Sequence, residues 1–317
     1  MTLLQALLLG IVQGATEFFP ISSSAHLRLF KRLLGIPDGE HLLYFDLLCH
    51  AGTLLALVIY LRKDIWNVLT NRRQIGLFTI ALLPLVPGYF LLKPVRLALS
   101  DPSYLGYFLI LTGALLFAAS RVRVLATDVG SIAIQPPLFA NEVCHRGCAR
   151  PSKIEAGERS ECAVRPSENI PCEGKASEED RFGDGHSQPP QKWKNVLWIG
   201  MLQTMALIPG ISRSGATVAA ARFCGWSWYE AARFSFLLAV PTIVGGELLE
   251  TLKLVRGSSE AIGAVSALSY GAGFAASFGV GAIAVRAVFW IYEKGTVLPF
   301  AWYCVGAGLV ALAIFNG

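Results

Sequence analysis

Long apolar stretches, separated by short clusters of Lys and Arg, dominate the pattern of this 317-residue chain. A helix needs about 20 mostly apolar residues to cross a bilayer. Six stretches come near that length: residues 44–61, 75–92, 104–120, 231–249, 263–291 and 300–315. The pattern therefore predicts an all-α polytopic membrane protein with six transmembrane helices.

Two further apolar stretches are interrupted by polar residues. Residues 3–19 end at Pro20 and a run of Ser, whereas residues 196–208 end at Pro209, Gly210 and a second Ser-rich run. Each pattern predicts a re-entrant segment, in which a short helix, a polar break and a second short helix follow one another. Irregular backbone at membrane depth is tolerated only where it lines a cavity or is buried in protein, so these breaks mark a candidate site.

The two interrupted stretches resemble each other, without gaps, at an offset of 190 residues. The matched pairs are Leu7 and Leu197, Gly10 and Gly200, Gln13 and Gln203, Ile21 and Ile211, Ser22 and Ser212, and Ser24 and Ser214. Each stretch precedes three predicted spans. We therefore predict two inverted-topology membrane repeats, residues 1–121 and 192–317, because folds of this kind place matched broken helices at a site near the bilayer midplane.

Residues 122–191 differ from the rest of the chain in composition. Between residues 125 and 191 there are 7 Lys and Arg and 11 Asp and Glu, whereas the remainder carries 20 basic and 11 acidic residues. This polar, acidic insert is predicted to be disordered. The whole chain is 54% hydrophobic and 15% charged, which excludes an ordinary soluble enzyme. Surplus Lys and Arg are expected in membrane-protein loops, so no nucleic-acid partner is indicated.

The first break carries a cluster of reactive side chains. Gln13 and Glu17 are four residues apart and share a helix face, and Ser22, Ser23, Ser24 and His26 follow. An ionisable residue in an apolar segment is a functional-site hypothesis by default. Together these side chains could supply a metal ligand, a nucleophile and a base. The structural alternative is a Glu at the membrane interface that is satisfied by the Ser hydroxyls.

The second break favours anion binding. Its candidate residues are Gly210, Ser212, Arg213, Ser214, Gly215 and Thr217. Backbone N–H groups at a helix start can hold an anion, and the planar guanidinium of Arg213 suits phosphate oxygens. The structural alternative is a capped helix whose Arg reaches the headgroups. If the two breaks face each other, the combined site suits phosphoryl transfer to or from a phosphate ester with a bound divalent cation.

Other polar residues in apolar stretches give weaker signals. Asp46 and His50 share a helix face at the start of one span. Asp46 is predicted to support the residues of the site without contacting the substrate itself. Glu247 lies deep in another span and is expected to pair with a neighbouring helix.

The sequence resembles the undecaprenyl-diphosphate phosphatases of the bacitracin-resistance type. Residues 10–26, GIVQGATEFFPISSSAH, look like the first signature of that family. Residues 209–217, PGISRSGAT, look like the second, and residues 45–53, FDLLCHAGT, are similar to a third shared segment. The resemblance covers residues 1–121 and 192–317.

The resemblance implies hydrolysis of undecaprenyl diphosphate to undecaprenyl phosphate and inorganic phosphate in the bacterial inner membrane. This reaction recycles the lipid carrier of peptidoglycan synthesis and confers bacitracin resistance. The implied cofactor is a divalent cation, Mg²⁺ or Ca²⁺, held by Glu17 and Gln13. The implied catalytic residues are Glu17, Ser23, His26 and Arg213. The predicted substrate-binding residues are Ser22, Ser24, Gly210, Ser212, Ser214, Gly215 and Thr217.

Two departures from the family pattern leave alternatives open. Position 13, often Glu in the family, is Gln here, so a weakly active relative is one alternative. The acidic insert is the second departure. A transporter or flippase of an anionic polyprenyl lipid is the alternative from another functional class. Covalent attack by Ser23, covalent attack by His26 and direct attack by water all fit the sequence. A homodimer also fits it.

Overall fold

The computed structural model describes residues 1–36, 42–122, 192–257, 265–295 and 297–316, without the side chains of 254–257. Over these ranges the chain forms thirteen α-helices and no β-strand, which confirms the predicted all-α class. The predicted insert at 122–191 falls outside the described residues except for Val122, and its disorder stays a prediction.

Eight helices precede the insert and five follow it. The first eight are α1 (Leu3–Thr16), α2 (Ser23–Leu33), α3 (Leu43–Tyr60), α4 (Arg62–Thr70), α5 (Arg72–Leu82), α6 (Leu85–Leu91), α7 (Lys93–Ala98) and α8 (Leu105–Arg121). The others are α9 (Trp193–Met205), α10 (Arg213–Phe223), α11 (Trp228–Gly257), α12 (Ala267–Glu293) and α13 (Leu298–Asn316).

Six segments of the described chain are long and apolar enough to cross a membrane, as predicted. They are Leu43–Tyr60, Arg72–Leu91, Pro102–Arg121, Trp228–Lys253, Ala267–Glu293 and Leu298–Asn316. One span differs from the prediction, because a turn at Leu83 and Pro84 divides it into α5 and α6. Pro84 lacks the N–H that a continuous helix requires, and its ring crowds the carbonyl of the preceding turn.

Both interrupted stretches form a helix, a break and a second helix. In the first, α1 ends at Thr16 and α2 begins at Ser23; in the second, α9 ends at Met205 and α10 begins at Arg213. Two aromatic residues anchor the first break, since Phe18 packs edge-on against Phe236 of α11 and Phe19 packs against Phe300 of α13. The inverted orientation of the two repeats stays a prediction.

Small residues let the helices approach closely, as is common inside membranes. A methyl group added to Gly10 of α1 would lie 2.5 Å from the carbonyl oxygen of Gly273 in α12. One added to Gly200, the equivalent residue of α9, would collide with the carbonyl oxygen of Ala81 in α5. The two broken helices are thus held against neighbouring helices by the same device.

Candidate functional site

The two breaks meet at a cavity of about 300 Å³. Four helices and both breaks contribute to its wall. The lining residues are Glu17, Ser22, Ser23, Ser24, Leu47, His50, Ala206, Ile211, Ser212, Arg213, Ser214, Thr242, Ile243, Gly246 and Glu247. Both polar breaks, which the sequence predicts to share one site, contribute residues to this cavity.

Glu17 is the centre of the polar network in this cavity. Its Oε1 accepts a hydrogen bond from Arg213 Nη2 at 2.5 Å, which makes an ion pair between the two breaks. Its Oε2 accepts from Ser23 Oγ at 2.6 Å and from Gln13 Nε2 at 2.8 Å. The side chain of Glu17 is only 3% exposed, and a buried carboxylate needs such partners to stay charged.

The backbone of the first break is strained at Ser22. Its φ of 66° and ψ of 91° lie where non-glycine residues are uncommon. The Ser22 carbonyl accepts hydrogen bonds from the backbone N–H of His26 and from His26 Nδ1, the latter at 2.8 Å. Strained residues of this kind persist only where the surroundings fix them, and they cluster at functional sites. Here the strain lies beside Ser23, the hydroxyl that donates to Glu17.

The second break has the conventional form of a helix start. Ser212 caps α10, since its Oγ accepts from the Gly215 N–H at 3.1 Å. Gly210 has a φ of 102°, a conformation that side chains disfavour. Ser214 Oγ donates to the Phe19 carbonyl at 3.2 Å, so the two breaks are joined directly by a second contact besides the ion pair.

Seven of the predicted site residues line the cavity: Glu17, Ser22, Ser23, Ser24, Ser212, Arg213 and Ser214. Five others lie behind that lining. Gln13 is fully buried beside Glu17, Gly215 donates to the capping Ser212, and the Thr217 hydroxyl bonds to the Arg213 carbonyl and to Ser235. Gly210 packs against Phe108. Asp46 forms an ion pair with Lys31 at 2.6 Å, close to the site but outside its lining.

His26 is the remaining predicted residue, and it too lies behind the lining. It is 3% exposed. Nδ1 faces the Ser22 carbonyl, which can only accept, so Nδ1 carries the proton. In the neutral ring Nε2 then accepts from the Tyr303 hydroxyl at 2.9 Å. Its Nδ1 therefore bonds to the backbone of Ser22, which lines the cavity, whereas its Nε2 bonds to Tyr303, which does not. His26 is thus connected to the cavity through the backbone of Ser22.

Three polar residues in the lining were outside the predicted site: His50, Thr242 and Glu247. His50 Nδ1 faces the Asp46 carbonyl at 2.8 Å, and its Nε2 lies 3.8 Å from Glu17 Oε2. The side chain of Glu247 makes no hydrogen bond within the described structure, and its Oε1 is buried. The expected pairing of Glu247 with a neighbouring helix is therefore absent there. Two features of the sequence could have identified them as site residues: His50 shares a helix face with Asp46, and Glu247 lies deep in an apolar span.

The predicted metal pair, Glu17 and Gln13, does not fit a cation well. Both oxygens of Glu17 already accept hydrogen bonds, one of them from the cationic Arg213. Because a carboxylate can only accept, Gln13 turns its NH₂ group toward Glu17, and its Oε1 points away from that carboxylate without a partner. The described residues also contain no group of three or more His, Cys, Asp or Glu side chains that could hold a metal ion.

Comparison with known proteins shows the family of this chain. A profile of the family described as bacitracin resistance protein BacA matches residues 6–136 and 175–310. The chain belongs to this family. Every residue of the cavity lining falls within the two matched ranges of the BacA family, which leave residues 137–174 between them.

Relatives of this BacA-family chain are similar over its whole length. An undecaprenyl-diphosphatase of Protochlamydia amoebophila is 30% identical over 317 residues, covering 100% of both chains. One from Geobacter metallireducens is 35% identical over 316 residues, covering 99% of this chain and 98% of its own. One from Maricaulis maris is 34% identical over 324 residues, covering 99% of this chain and 100% of its own.

Proposed function

We propose that this chain is an integral-membrane phosphatase that hydrolyses undecaprenyl diphosphate to undecaprenyl phosphate and inorganic phosphate. The observation that carries the proposal is the cavity in which Arg213 and a row of hydroxyls face the buried carboxylate of Glu17. The relatives named undecaprenyl-diphosphatase support the choice of substrate. The reaction would recycle a lipid carrier of peptidoglycan synthesis at the bacterial inner membrane, with bacitracin resistance as a consequence.

Arg213 and the serines of both breaks would hold the diphosphate. A guanidinium binds phosphate oxygens through two parallel N–H donors. Ser22 and Ser24 on one side, and Ser212 and Ser214 on the other, offer hydroxyls around the same cavity. The polyprenyl chain would stay in the bilayer, since moving it into water is costly.

Ser23 is the proposed nucleophile and Glu17 its proton acceptor. The Ser23 hydroxyl donates to Glu17 Oε2 at 2.6 Å, the arrangement of a nucleophile next to its base. When the diphosphate engages Arg213, Glu17 loses its cationic partner and becomes a better base. Ser23 Oγ then attacks the terminal phosphorus, its proton passes to Glu17, and the bond from that phosphorus to the bridging oxygen breaks. Undecaprenyl phosphate leaves, and water hydrolyses the phosphoserine to inorganic phosphate.

The two histidines would have different roles. His50 Nε2 lies 3.8 Å from Glu17 Oε2 and faces the cavity, so His50 is the imidazole proposed to pass a proton to the departing oxygen. His26 would be a positioning residue that fixes the Ser22 carbonyl and thereby the start of α2.

Phosphate release by the purified protein tests this proposal. With farnesyl diphosphate as a short-chain substrate, wild type is expected to release inorganic phosphate, and Arg213→Ala is expected to do so about a thousandfold less efficiently. Arg286→Ala, which removes an exposed arginine of α12, serves as the matched control and should behave as wild type. Well-folded wild type that binds the substrate but releases no phosphate would contradict the phosphatase and favour a transporter of the same lipid.

A further inference from the structure

The charges that line the cavity do not suit an anion alone. Its ionisable residues are Glu17, Arg213, His50 and Glu247. The two carboxylates outnumber the one guanidinium, and the proton that His50 is proposed to donate would only balance them. A diphosphate entering this site would therefore meet no surplus positive charge, at a low dielectric where its own negative charges are strongly destabilised. A cation must therefore enter with the anion, or one of the carboxylates must be neutral.

Glu17 is poorly placed to bind that cation. Three donors already occupy its two oxygens, and Arg213 lies at 2.5 Å. A divalent ion there would need to displace hydrogen bonds that stabilise the break itself and would be repelled by the guanidinium. The neighbouring Gln13 presents donors rather than a carbonyl oxygen to Glu17.

Glu247 has the opposite surroundings. No hydrogen-bond donor reaches its carboxylate among the described residues, although Oε1 is shielded from solvent. Three residues of the same stretch of α11, namely Thr242, Ile243 and Gly246, line the cavity beside it. A methyl group added to Gly246 would have no atom within 4 Å, so there is room next to the carboxylate for a ligand. Glu247 lines the same cavity as His50, Glu17 and Arg213, which places it near the groups proposed to react.

We propose that Glu247 is the carboxylate that binds a hard divalent cation, of the Mg²⁺ or Ca²⁺ class, together with the diphosphate. Mg²⁺ is commonly bound by one or two carboxylates, substrate phosphate oxygens and water rather than by a cage of protein ligands. Such coordination needs few protein ligands, which agrees with the lack of a three-residue metal cluster in the described part of the chain. The inference rests on the proposed function, because the diphosphate supplies the remaining ligands.

Cation binding can be measured directly, without turnover. The full-length protein in detergent is titrated with Mn²⁺ in the presence of methylenediphosphonate, a diphosphate that is not hydrolysed, and free Mn²⁺ is followed by electron paramagnetic resonance. Wild type is expected to bind Mn²⁺ more tightly with the diphosphonate than without it. Glu247→Gln should weaken this binding at least tenfold, and Glu247→Asp should retain part of it.

The matched control is Glu250→Gln, which removes a carboxylate of the same helix that is paired with Lys253 and does not line the cavity. It should bind Mn²⁺ as wild type does. Wild-type affinity in folded Glu247→Gln would overturn the inference, because Gln keeps the shape of Glu but lacks the negative charge that would hold the cation. Loss of binding in Glu17→Gln but not in Glu247→Gln would assign the cation to Glu17 and overturn it as well, as would a wild type that binds no Mn²⁺.

Phosphate release from farnesyl diphosphate, measured on the same samples, separates this inference from the proposed function. A wild type that releases phosphate, but whose Mn²⁺ binding is unaffected by Glu247→Gln, would contradict only the role of Glu247. A wild type that binds Mn²⁺ through Glu247 but releases no phosphate would contradict only the proposed reaction.

Discussion

The two breaks share a scaffold and differ in chemistry. In both, hydroxyls two residues apart lie within 3.3 Å, between Ser22 and Ser24 and between Ser212 and Ser214. At the offset of 190 residues, however, Ser23 is the counterpart of Arg213. These two unlike residues both donate to Glu17, whose own counterpart is Leu207. The predicted repeat thus carries one asymmetric site, with the proposed nucleophile and base in the first break and the guanidinium of Arg213 in the second.

The ion pair between the breaks gives the largest expected effect. Arg213→Ala should lower kcat/KM for farnesyl diphosphate about a thousandfold, the scale of a lost transition-state charge partner. It should also lower the free energy of unfolding by about 3 kcal/mol, because Glu17 is left as an unpaired buried charge.

The double variant Glu17→Gln and Arg213→Gln separates these two effects. It removes both charges and should recover most of the stability while remaining inactive. Stability is measured by thermal unfolding in detergent. A double variant as unstable as Arg213→Ala alone would mean that the pair is not coupled.

Ser23 distinguishes the first break from the second. Ser23→Ala should lower phosphate release by roughly a hundredfold to a thousandfold, because it removes the proposed nucleophile. Ser24→Ala, one residue further along α2, removes a hydroxyl that bonds only to Ser22 among the described residues, and it should lose less than tenfold. Equal losses in both variants would favour direct attack by water over attack by Ser23.

The paired glutamines compare buried amides at equivalent positions. Gln13 donates to the Glu17 carboxylate, whereas Gln203 donates to the Thr242 hydroxyl at 3.1 Å. Gln13→Glu should lower the free energy of unfolding by about 3 kcal/mol, because it buries a second carboxylate beside the first. Gln203→Glu faces a hydroxyl and should cost less. A gain in phosphatase rate in Gln13→Glu would instead show that the natural site is weakened by its amide.

The matched glycines Gly10 and Gly200 have the smallest expected effect. Substituting either by Ala should destabilise the protein by about 1–3 kcal/mol, because the added methyl group meets a carbonyl oxygen of the adjacent helix. Gly279→Ala in α12 is the control, since nothing lies within 4 Å of its added methyl group. Melting temperatures of the three variants test this, and a loss confined to one glycine would show that the two broken helices are held differently.

Much of the fold follows from local pattern. Three features that shape it can be read directly from the sequence: the length of the apolar spans, the prolines that interrupt helices, and the offset of 190 residues between the two breaks. The cavity depends on tertiary contacts that no local pattern contains. Glu247 belongs to the helix that follows α10 and lies far in sequence from the first break. The partner of His26 is Tyr303, 277 residues away. A prediction based on apolar length also did not find the amphipathic helix at 62–70 or the interruption of one span at Pro84.

The central claim is that the two breaks form one site that transfers the terminal phosphoryl group. Hydrolysis of farnesyl diphosphate by wild type in H₂¹⁸O, followed by ³¹P nuclear magnetic resonance, tests it most directly. The account predicts equal amounts of farnesyl phosphate and inorganic phosphate, with ¹⁸O in the inorganic phosphate alone. Labelled farnesyl phosphate, or release of pyrophosphate and farnesol, would show that another bond breaks and would contradict the account.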